Sequence, residues 1–450
     1  MRVRGEALAV PLGVALVTAA FLVPHLQLGI VAPLIHADAL RIHQLAETAP
    51  IFGWWDVHVG WGSIAAVVIG AAAVRYGPDV AQRLSWRALT LAVWATSAAW
   101  ALSLAMIDGW RRGFAGRLTA RHEYLRQVPT VTDIPKALHT FSRRILDFQP
   151  DSWITHVSGH PPGALLTFVW LDRIGLGGGG WAATWCLLLG SSAAAAIIVT
   201  LRAVSGEATA RLAAPFVAVA PSAIWVAVSA DGYFAGVAAW GVALVALSAT
   251  RKVRLPVLTA LTAGLVLGWA VFLNYGLPLV GLLVLAVLVA AGQRQAMLAA
   301  VVPAVIGALT VVAVFAWSGF WWFDGYALVK QRYWQGIAND RPFQYWSWAN
   351  LASVTCAIGL GSVAGIGRVF DLRAIRRRSG THLLVAAALV AIIAADLSML
   401  SKAEVERIWL PLTVWLTAAP ALLPCSSHRW WLAANIVGAL VLNHVIYTNW

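Results

Sequence analysis

The sequence predicts an all-α, polytopic membrane protein with about 13 or 14 transmembrane helices and a large external loop that contains amphipathic helices. Two observations predict this class. The chain has 450 residues, of which 60% are hydrophobic, and its mean hydropathy is +0.76. Apolar runs of roughly 16 to 28 residues recur along it, each about long enough to cross a bilayer. Because the backbone in lipid must satisfy its own hydrogen bonds, these runs favour helices over strands.

Apolar runs mark the predicted spans in chain order. They cover residues 7–35, 60–75, 88–107, 160–176, 181–201, 212–228, 233–250, 256–273, 277–291, 297–316, 349–367, 382–399, 408–424 and 430–447. The first run is too long for the core of a cleavable signal peptide, so we expect a retained helix. The runs 160–176 and 181–201 cannot both cross fully if the flanking helices alternate. The first of them, or the Gly177–Gly180 turn, is therefore predicted to be re-entrant or interfacial.

Positive charge in the short loops predicts the orientation. If the helices alternate, these groups share one side, which is then cytoplasmic, with the N-terminus inside: Arg2 and Arg4, Arg75 to Arg87, Arg251 to Arg254, Arg294, and Arg373 to Arg378. The loops 108–160 and 317–348 then face outward from the cytoplasmic membrane. The net charge of +13 is assigned to such loops, and no nucleic-acid partner is expected.

We expect three regions along the chain. Residues 1–87 form an N-terminal two-helix addition, residues 88–424 form the transmembrane core with its loop 108–160, and residues 425–450 form a C-terminal helix. The three cysteines lie far apart and show neither metal-ligand nor disulfide spacing. No phosphate-binding loop motif is present. Any energy for a reaction must therefore arrive in a donor already at the outer face.

The segment from Asp108 to Gly163 concentrates ionisable groups. It holds five carboxylates, eight Lys or Arg and four His, whereas only 11% of the whole chain is charged. This concentration predicts chemistry at the membrane–water boundary. Apolar residues between Ile134 and Phe148 recur every three or four positions beside basic residues, which predicts an amphipathic helix in the headgroup layer.

Three residues of this segment and two of a later turn are candidates for a site. Asp108 and Glu123 stand at the edge of low dielectric, where a carboxylate has a raised proton affinity and can act as a general base. His160 precedes two prolines at a helix start, where it can bind a phosphate or a hydroxyl. Asp231, followed by Tyr233, lies between apolar helices, where a carboxylate is costly and usually functional. For Asp108 and Glu123 the alternative is a solvated loop charge. For His160 it is a residue that only starts a helix, and for Asp231 it is a helix cap.

Two further loops carry candidate binding groups. Residues 317–348 combine many aromatic side chains, which can support a sugar ring, with Arg341, which can hold a phosphate. The turn 401–409 contains Lys402 and Arg407, which can neutralise a lipid phosphate at headgroup depth. The alternatives are an aromatic belt at the interface and ordinary snorkelling of basic side chains.

Four elements together resemble the GT-C superfamily of integral-membrane glycosyltransferases. The resemblance is strongest to the family 39 group of protein mannosyltransferases and aminoarabinose transferases, in an actinobacterial branch, and it covers about residues 88–420. The elements are Glu123-Tyr124 in the long loop, His160-Pro161-Pro162, Ser229-Ala230-Asp231, and the turn from Glu404 to Trp409.

The resemblance implies an activity and its partners. Such enzymes transfer a sugar, with inversion, from a polyprenyl-phosphate donor to a glycan, lipid or protein acceptor at the outer face of the membrane, and a loop carboxylate is the base. Glu123 or Asp108 is then the base. The other implied residues are Arg341, Lys402, Arg407 and His160, which stabilise the leaving phosphate, and Asp231, Tyr124 and Tyr233, which bind the sugar or the acceptor.

The chain departs from the family pattern at one position. His122 stands where the commoner pattern has the first of two adjacent acids, which leaves the identity of the base open. No metal ligands are predicted, and a divalent cation stays open as a cofactor. Two alternatives remain: a non-enzymatic membrane scaffold or glycan-binding subunit, and a transporter of lipid-linked glycans. The transporter is less favoured because the sequence shows no internal repeat and its ionisable groups lie at the membrane edge.

Overall fold

A computed structural model describes residues 5–26, 48–292 and 294–448 of the chain. Its regular structure is almost entirely helical. The α-helices are α1 Gly5–Leu22, α2 Trp61–Arg83, α3 Trp86–Ala105, α4 Ile134–His139, α5 Thr155–Ser158, α6 Pro162–Arg173, α7 Gly179–Ser205, α8 Glu207–Ala218, α9 Ala223–Val226, α10 Ala230–Ala249, α11 Pro256–Val271, α12 Gly281–Ala291, α13 Arg294–Trp317, α14 Trp322–Gln335, α15 Phe343–Ile358, α16 Leu360–Ile366, α17 Leu372–Arg376, α18 Gly380–Leu397, α19 Val405–Ile408, α20 Leu410–Thr413 and α21 His428–Val445.

The predicted helical membrane fold is confirmed, although fewer helices meet the length of a full span than we predicted. Within the described residues, seven helices are long and apolar enough to cross a membrane, or up to nine if each of two bent helix pairs forms one span. The pairs bend by 112° after Ile358 and by 113° after Leu422. The count lies below 13 or 14 because several predicted spans, such as Pro256–Val271 and Leu277–Ala291, form shorter apolar helices.

The helix after His160 is too short to cross the bilayer. Helix α6 has 12 residues, which is about 18 Å at the rise of an α-helix, whereas a hydrocarbon core is about 30 Å thick. The next helix, α7, has 27 residues and spans easily. The re-entrant or interfacial placement of this helix, or of the Gly177–Gly180 turn, stays a prediction.

Helix α7 begins directly against the long loop. A Cβ atom placed on Gly179 would lie 1.8 Å from the carbonyl oxygen of Ala115, so only glycine allows this approach. We call the end of the bundle that carries residues 108–161 the loop face. Helix α7 starts there, and so does α10, because Asp231 in its first turn pairs with Arg407, which lies near Glu123 of the loop.

Small residues bring the central helices into close contact. A Cβ on Gly236 of α10 would lie 2.0 Å from the carbonyl oxygen of Leu189 in α7, and one on Gly264 of α11 would lie 1.9 Å from that of Ala304 in α13. Helices in lipid associate through such close packing because burial against lipid supplies little driving force. The resulting core helices hold the site residues in fixed positions.

The long loop folds into short helical segments instead of one long helix. Its predicted amphipathic stretch is helical over Ile134–His139 and, as a 3-10 turn, over Ser142–Arg144. Its apolar side chains Leu138, Phe141 and Ile145 are buried in the protein core. The ring of Phe141 contacts that of Phe320 at a centroid distance of 5.5 Å. The stripe therefore packs the loop onto the bundle.

One strand pair joins distant parts of the chain. Strand β1, Gly53–Trp55, pairs antiparallel with β2, Ile446–Thr448, in the register Gly53 to Thr448. The predictions for Arg2, Arg4, residues 27–47 and Trp450 fall outside the described residues. The division into three regions stays a prediction.

Candidate functional site on the loop face

A buried ion-pair network lies at the start of α10. Asp231 stands in the first turn of that helix, after Ser229, whose hydroxyl accepts a hydrogen bond from the Gly232 amide at 3.1 Å. Arg407 Nη1 donates to Asp231 Oδ2 at 2.6 Å, and Arg407 Nη2 lies 3.2 Å from Glu404 Oε2. The side chains of Asp231 and Arg407 are 1% and 6% exposed. Arg407 thus bridges two carboxylates from different parts of the chain.

Arg341 extends the network from the aromatic loop. Its Nη2 donates to Glu404 Oε1 at 2.9 Å, and its Nη1 donates to the carbonyl oxygen of Lys402 at 2.6 Å. Lys402 returns a hydrogen bond from Nζ to the Arg341 carbonyl at 2.7 Å and lies over the Trp334 ring at 4.7 Å. The three predicted cations therefore share one cluster, in which each already has protein partners.

The turn that carries these groups is strained. Met399, Ala403 and Glu404 have φ values of 59°, 69° and 61°, in the left-handed region that costs a non-glycine residue about 1–2 kcal/mol. Glu404 is held there by Arg341 and Arg407. Such strain is often found at functional sites, because the surrounding contacts are needed to maintain it.

Glu123 enters the same region from the long loop, paired with a histidine. His156 Nδ1 lies 2.9 Å from Glu123 Oε1. The His156 amide donates to the carbonyl oxygen of His122 at 3.2 Å, which fixes the histidine beside the short helical turn that follows Glu123. Burial raises the pKa of Glu123, but His156, Arg407 and His160 outweigh it and hold that pKa below its usual range. Glu123 is therefore an ionised carboxylate near Arg407.

Tyr124 and His160 fill the space between Glu123 and α10. The Tyr124 ring stacks on Phe168 at 5.3 Å and contacts the His160 ring at 5.7 Å. His160 Nδ1 is 2.7 Å from the carbonyl oxygen of His156. Burial lowers the pKa of His160 to about 4, although nearby Asp231 opposes this. His160 is therefore neutral near pH 7, so it can offer a hydrogen bond but not a charge to a phosphate.

Neighbouring opposite charges stabilise the ionised forms of Glu404 and Arg407. Burial raises the pKa of Glu404, but Arg341 and Arg407 lower it to about 2. Burial also disfavours the charged form of Arg407, but Asp231, Glu404 and Glu123 hold its pKa above its usual value. The site is thus a compact set of opposite charges at low exposure, where electrostatic interactions are stronger than in water.

The structure places Asp108 in a different cluster. Its Oδ1 lies 2.6 Å from His58 Nε2, and its Oδ2 lies 3.3 Å from Arg117 Nη2. Arg117 also donates to the carbonyl oxygen of Thr448 in β2. Burial raises the pKa of Asp108. Arg117 thereby ties Asp108 to β2, and His58 lies three residues after β1, so Asp108 belongs to the surroundings of the strand pair. This leaves Glu123 as the loop carboxylate near Arg407.

Tyr233 lies two residues after Asp231 in α10 and lines a cavity. Its hydroxyl accepts a hydrogen bond from Trp269 Nε1 at 2.9 Å and lies 3.3 Å from Thr167 Oγ1 of α6. The cavity has a volume of about 730 Å³ and a mostly apolar wall formed by α3, α7, α10 and α11, with Trp94, Trp185, Trp240 and Trp269 among its lining residues. Leu91, Leu188 and Leu265 of its wall are exposed, so the cavity is open at the outer surface of the bundle.

Three residues of this region were missed as site residues. His156 lies four residues before His160, and this i, i+4 spacing was a usable signal. Glu404 and Glu406 flank a single valine in the turn before Arg407, so acids beside a base were visible there. Glu406 accepts a hydrogen bond from the Phe52 amide at 2.9 Å, and burial raises its pKa to about 7.

The donor set does not form a metal site. Among the described residues, no group of three or more His, Cys, Asp or Glu side chains is arranged to hold a metal ion. Asp231 and Glu404 are neutralised by arginine instead, and Glu123 faces His156. These carboxylates would have to leave their present partners to become ligands, so we derive no step through a metal.

Comparisons with known proteins give matches in structure only. No protein-family model matches the chain, and none of the curated proteins does. Solved structures of the oligosaccharyltransferase of Archaeoglobus fulgidus match. Its complex with Zn and sulfate has a TM-score of 0.52 at 15% identity, covering 78% of this chain and 52% of that one. The apo form gives 0.54 at 13%, with 79% and 56% covered.

A third structure of that protein, named AglB, holds an inhibitory peptide and a dolichol-phosphate; it gives a TM-score of 0.51 at 14% identity, with 79% and 55% covered. The chain has the GT-C fold. It spans about half the length of these solved proteins, and at this identity the match shows the fold alone. The fold is the one that these oligosaccharyltransferase structures have.

Proposed function

We propose that the chain is a membrane glycosyltransferase that moves a sugar from a polyprenyl-phosphate donor to an acceptor at the outer face of the cytoplasmic membrane. The observation that carries the proposal is the buried network on the loop face. It brings Glu123, Asp231 and Glu404 together with Arg341 and Arg407. The GT-C fold supports the same class of reaction.

The arrangement suits the two halves of such a donor. The cavity beside Tyr233 is apolar and opens at the outer surface of the bundle, so it offers a place for the lipid chain beside α10, the helix that carries Asp231. Arg407 and Arg341 lie at the level where the phosphate would then arrive. Fixed cations in a site with little water stabilise the charge that develops on the departing phosphate more strongly than bulk water does.

The individual roles are part of the proposal. Arg407 and Arg341 stabilise the leaving phosphate, with Lys402 behind them, since its ammonium group already binds the Arg341 carbonyl. Asp231 orients the sugar or the acceptor. Glu123 is the carboxylate on the side of the site that takes up the proton of the acceptor. Asp108 supports the strand pair.

Other binding groups complete this assignment. Tyr124 and His160 contact the substrate between Glu123 and α10, and Tyr233 lines the cavity. We retain the likeness to the family 39 transferases, including mannosyltransferases, on the His160-Pro161-Pro162 and Glu123-Tyr124 elements. The acceptor is a glycan, lipid or protein.

One experiment tests the function directly. The purified protein in lipid nanodiscs is incubated with radiolabelled polyprenyl-phosphate mannose, glucose, galactose or arabinose, and the release of polyprenyl phosphate is measured. We expect release with one of these donors and at least a 100-fold loss in Glu123→Gln, because general acid–base groups contribute about 10²- to 10⁴-fold. Asp151→Asn, a change at an exposed carboxylate of the same loop, is the matched control.

The outcome also separates the alternatives. No release with any donor, together with retained binding of a glycan, would support a non-enzymatic glycan-binding subunit. Movement of a lipid-linked glycan across a vesicle membrane without its cleavage would support a transporter. Either result would refute the proposed transferase.

A further inference from the structure

His156 is a buried histidine of the loop face that the family-like elements do not include. It lies on the short helix α5, between the carboxylate of Glu123 and the segment leading to His160. Its contact with Glu123 uses Nδ1, at 2.9 Å. The two atoms are at ion-pair distance, and Nε2 is the ring nitrogen that does not contact Glu123.

Exposure distinguishes the two members of the pair. The side chain of Glu123 is 3% exposed, whereas that of His156 is 11% exposed. A hydroxyl that approaches from the loop face therefore reaches the imidazole more readily than the carboxylate. Glu123 is also held in its ionised form by the cations around it, so it is a weak base but an effective partner for a charged imidazole.

We propose that His156 is the group that accepts the proton of the acceptor hydroxyl, and that Glu123 is the positioning residue that holds its imidazole and balances its charge. This inference rests on the proposed function and identifies the side chain that accepts the proton in that reaction. The unusual His122, which replaces an acid in the commoner pattern, adds no second carboxylate beside Glu123. A carboxylate–imidazole pair takes the place of two adjacent carboxylates.

The step balances as an inverting displacement. The acceptor oxygen forms a bond to C1 of the sugar, and the bond between C1 and the phosphate oxygen breaks. The electron pair of that bond leaves with the polyprenyl phosphate. The hydroxyl proton passes to Nε2 of His156, and the resulting imidazolium is stabilised by Glu123 until the proton passes to water.

The fixed backbone around His156 supports a positioned base. Its amide binds the His122 carbonyl at 3.2 Å, and its own carbonyl faces His160 Nδ1 at 2.7 Å. The Tyr124 ring lies 6.1 Å from the imidazole. The charged and titratable groups that face this region include His122, Glu123, His160, Asp231, Arg332, Glu404 and Arg407.

The test compares variants that separate the two imidazole nitrogens. His156→Asn keeps an amide N–H near the Nδ1 position, so the contact with Glu123 survives while the accepting nitrogen is lost. We expect kcat to fall by about 10²- to 10⁴-fold, with the donor KM within about threefold and the thermal midpoint unchanged. His139→Asn, at an exposed histidine of the same loop, is the control and should keep wild-type turnover.

One further measurement distinguishes a base from a structural side chain. In His156→Ala, added imidazole should raise turnover at least tenfold, but it should not rescue Glu123→Gln.

Three results would overturn the inference. One is turnover of His156→Asn within tenfold of the wild type. Another is a loss of kcat in that variant with no imidazole rescue of His156→Ala. The third is a wild type that releases no polyprenyl phosphate from any donor, which refutes the proposed function itself. The first two leave the transferase intact and remove only His156 as its base.

Discussion

The contact between Asp231 and Arg407 gives the sharpest test of the structure, because the two residues are 176 positions apart and the pair is almost fully buried. Arg407→Met leaves Asp231 without its cation and Glu404 with only Arg341. Removing one partner of a buried pair costs about 3–5 kcal/mol of unfolding free energy. Asp231→Asn is milder, about 1–3 kcal/mol, because Arg407 still contacts Glu404.

The double variant decides whether the two side chains interact. Asp231→Asn with Arg407→Met removes both charges, so its destabilisation should be smaller than the sum of the single effects by about 1–3 kcal/mol. Equilibrium unfolding by sodium dodecyl sulfate in mixed micelles, followed by circular dichroism, measures the four free energies. Single effects that add to within about 0.5 kcal/mol would refute the buried pair.

An exposed ion pair provides the matched control. Arg429 Nη2 lies 2.8 Å from Asp79 Oδ2, but the two side chains are 50% and 48% exposed. Pairs in water contribute little to stability. Arg429→Met should therefore leave the unfolding midpoint unchanged, although it deletes a contact of similar length. A large effect there would show that loss of an arginine side chain, and not burial of the pair, explains the result for Arg407.

Three further predictions concern stability. Glu406→Gln should raise the thermal midpoint at pH 8 and not at pH 4.5. The native pKa of Glu406, about 7, exceeds the ordinary 4.5, so the free energy of unfolding of the wild type falls by about 3 kcal/mol as pH rises across that interval. An equal gain at both pH values would contradict this. Asp108→Asn should speed amide exchange in β1 and β2, whereas Asp151→Asn should not; unchanged exchange would show that Asp108 does not support the strands. Tyr233→Phe removes the acceptor of the Trp269 indole and should cost about 1 kcal/mol, seen as a lower thermal midpoint; an unchanged midpoint would argue against that hydrogen bond.

The positions of the helices were largely predictable because lipid imposes a single rule on the sequence. A membrane span needs a long apolar run, and such runs are visible in one dimension. The predicted span 181–201 lies within Gly179–Ser205, and 382–399 nearly coincides with Gly380–Leu397. The number of full spans was less predictable, since a short helix such as α6 and a bent pair such as α15 with α16 have similar composition to straight spans.

The candidate site was predictable only in part. Asp231, Arg341, Lys402 and Arg407 were singled out from their loops, and the structure gathers them. The choice between Asp108 and Glu123 was open because both stand in the same loop with similar neighbours in sequence. Packing separates them, since His58 and Arg117 surround Asp108. Their roles in a reaction stay predictions.

The sequence by itself determined that this is a helical membrane protein whose ionisable groups collect in a few loops, because the exclusion of charge from lipid acts on each segment separately. Only the tertiary structure decided which acid meets which base. Glu123 with His156 and Asp231 with Arg407 are contacts across 33 and 176 positions. Such pairs depend on how helices and loops pack together, and no local pattern in the chain encodes that arrangement.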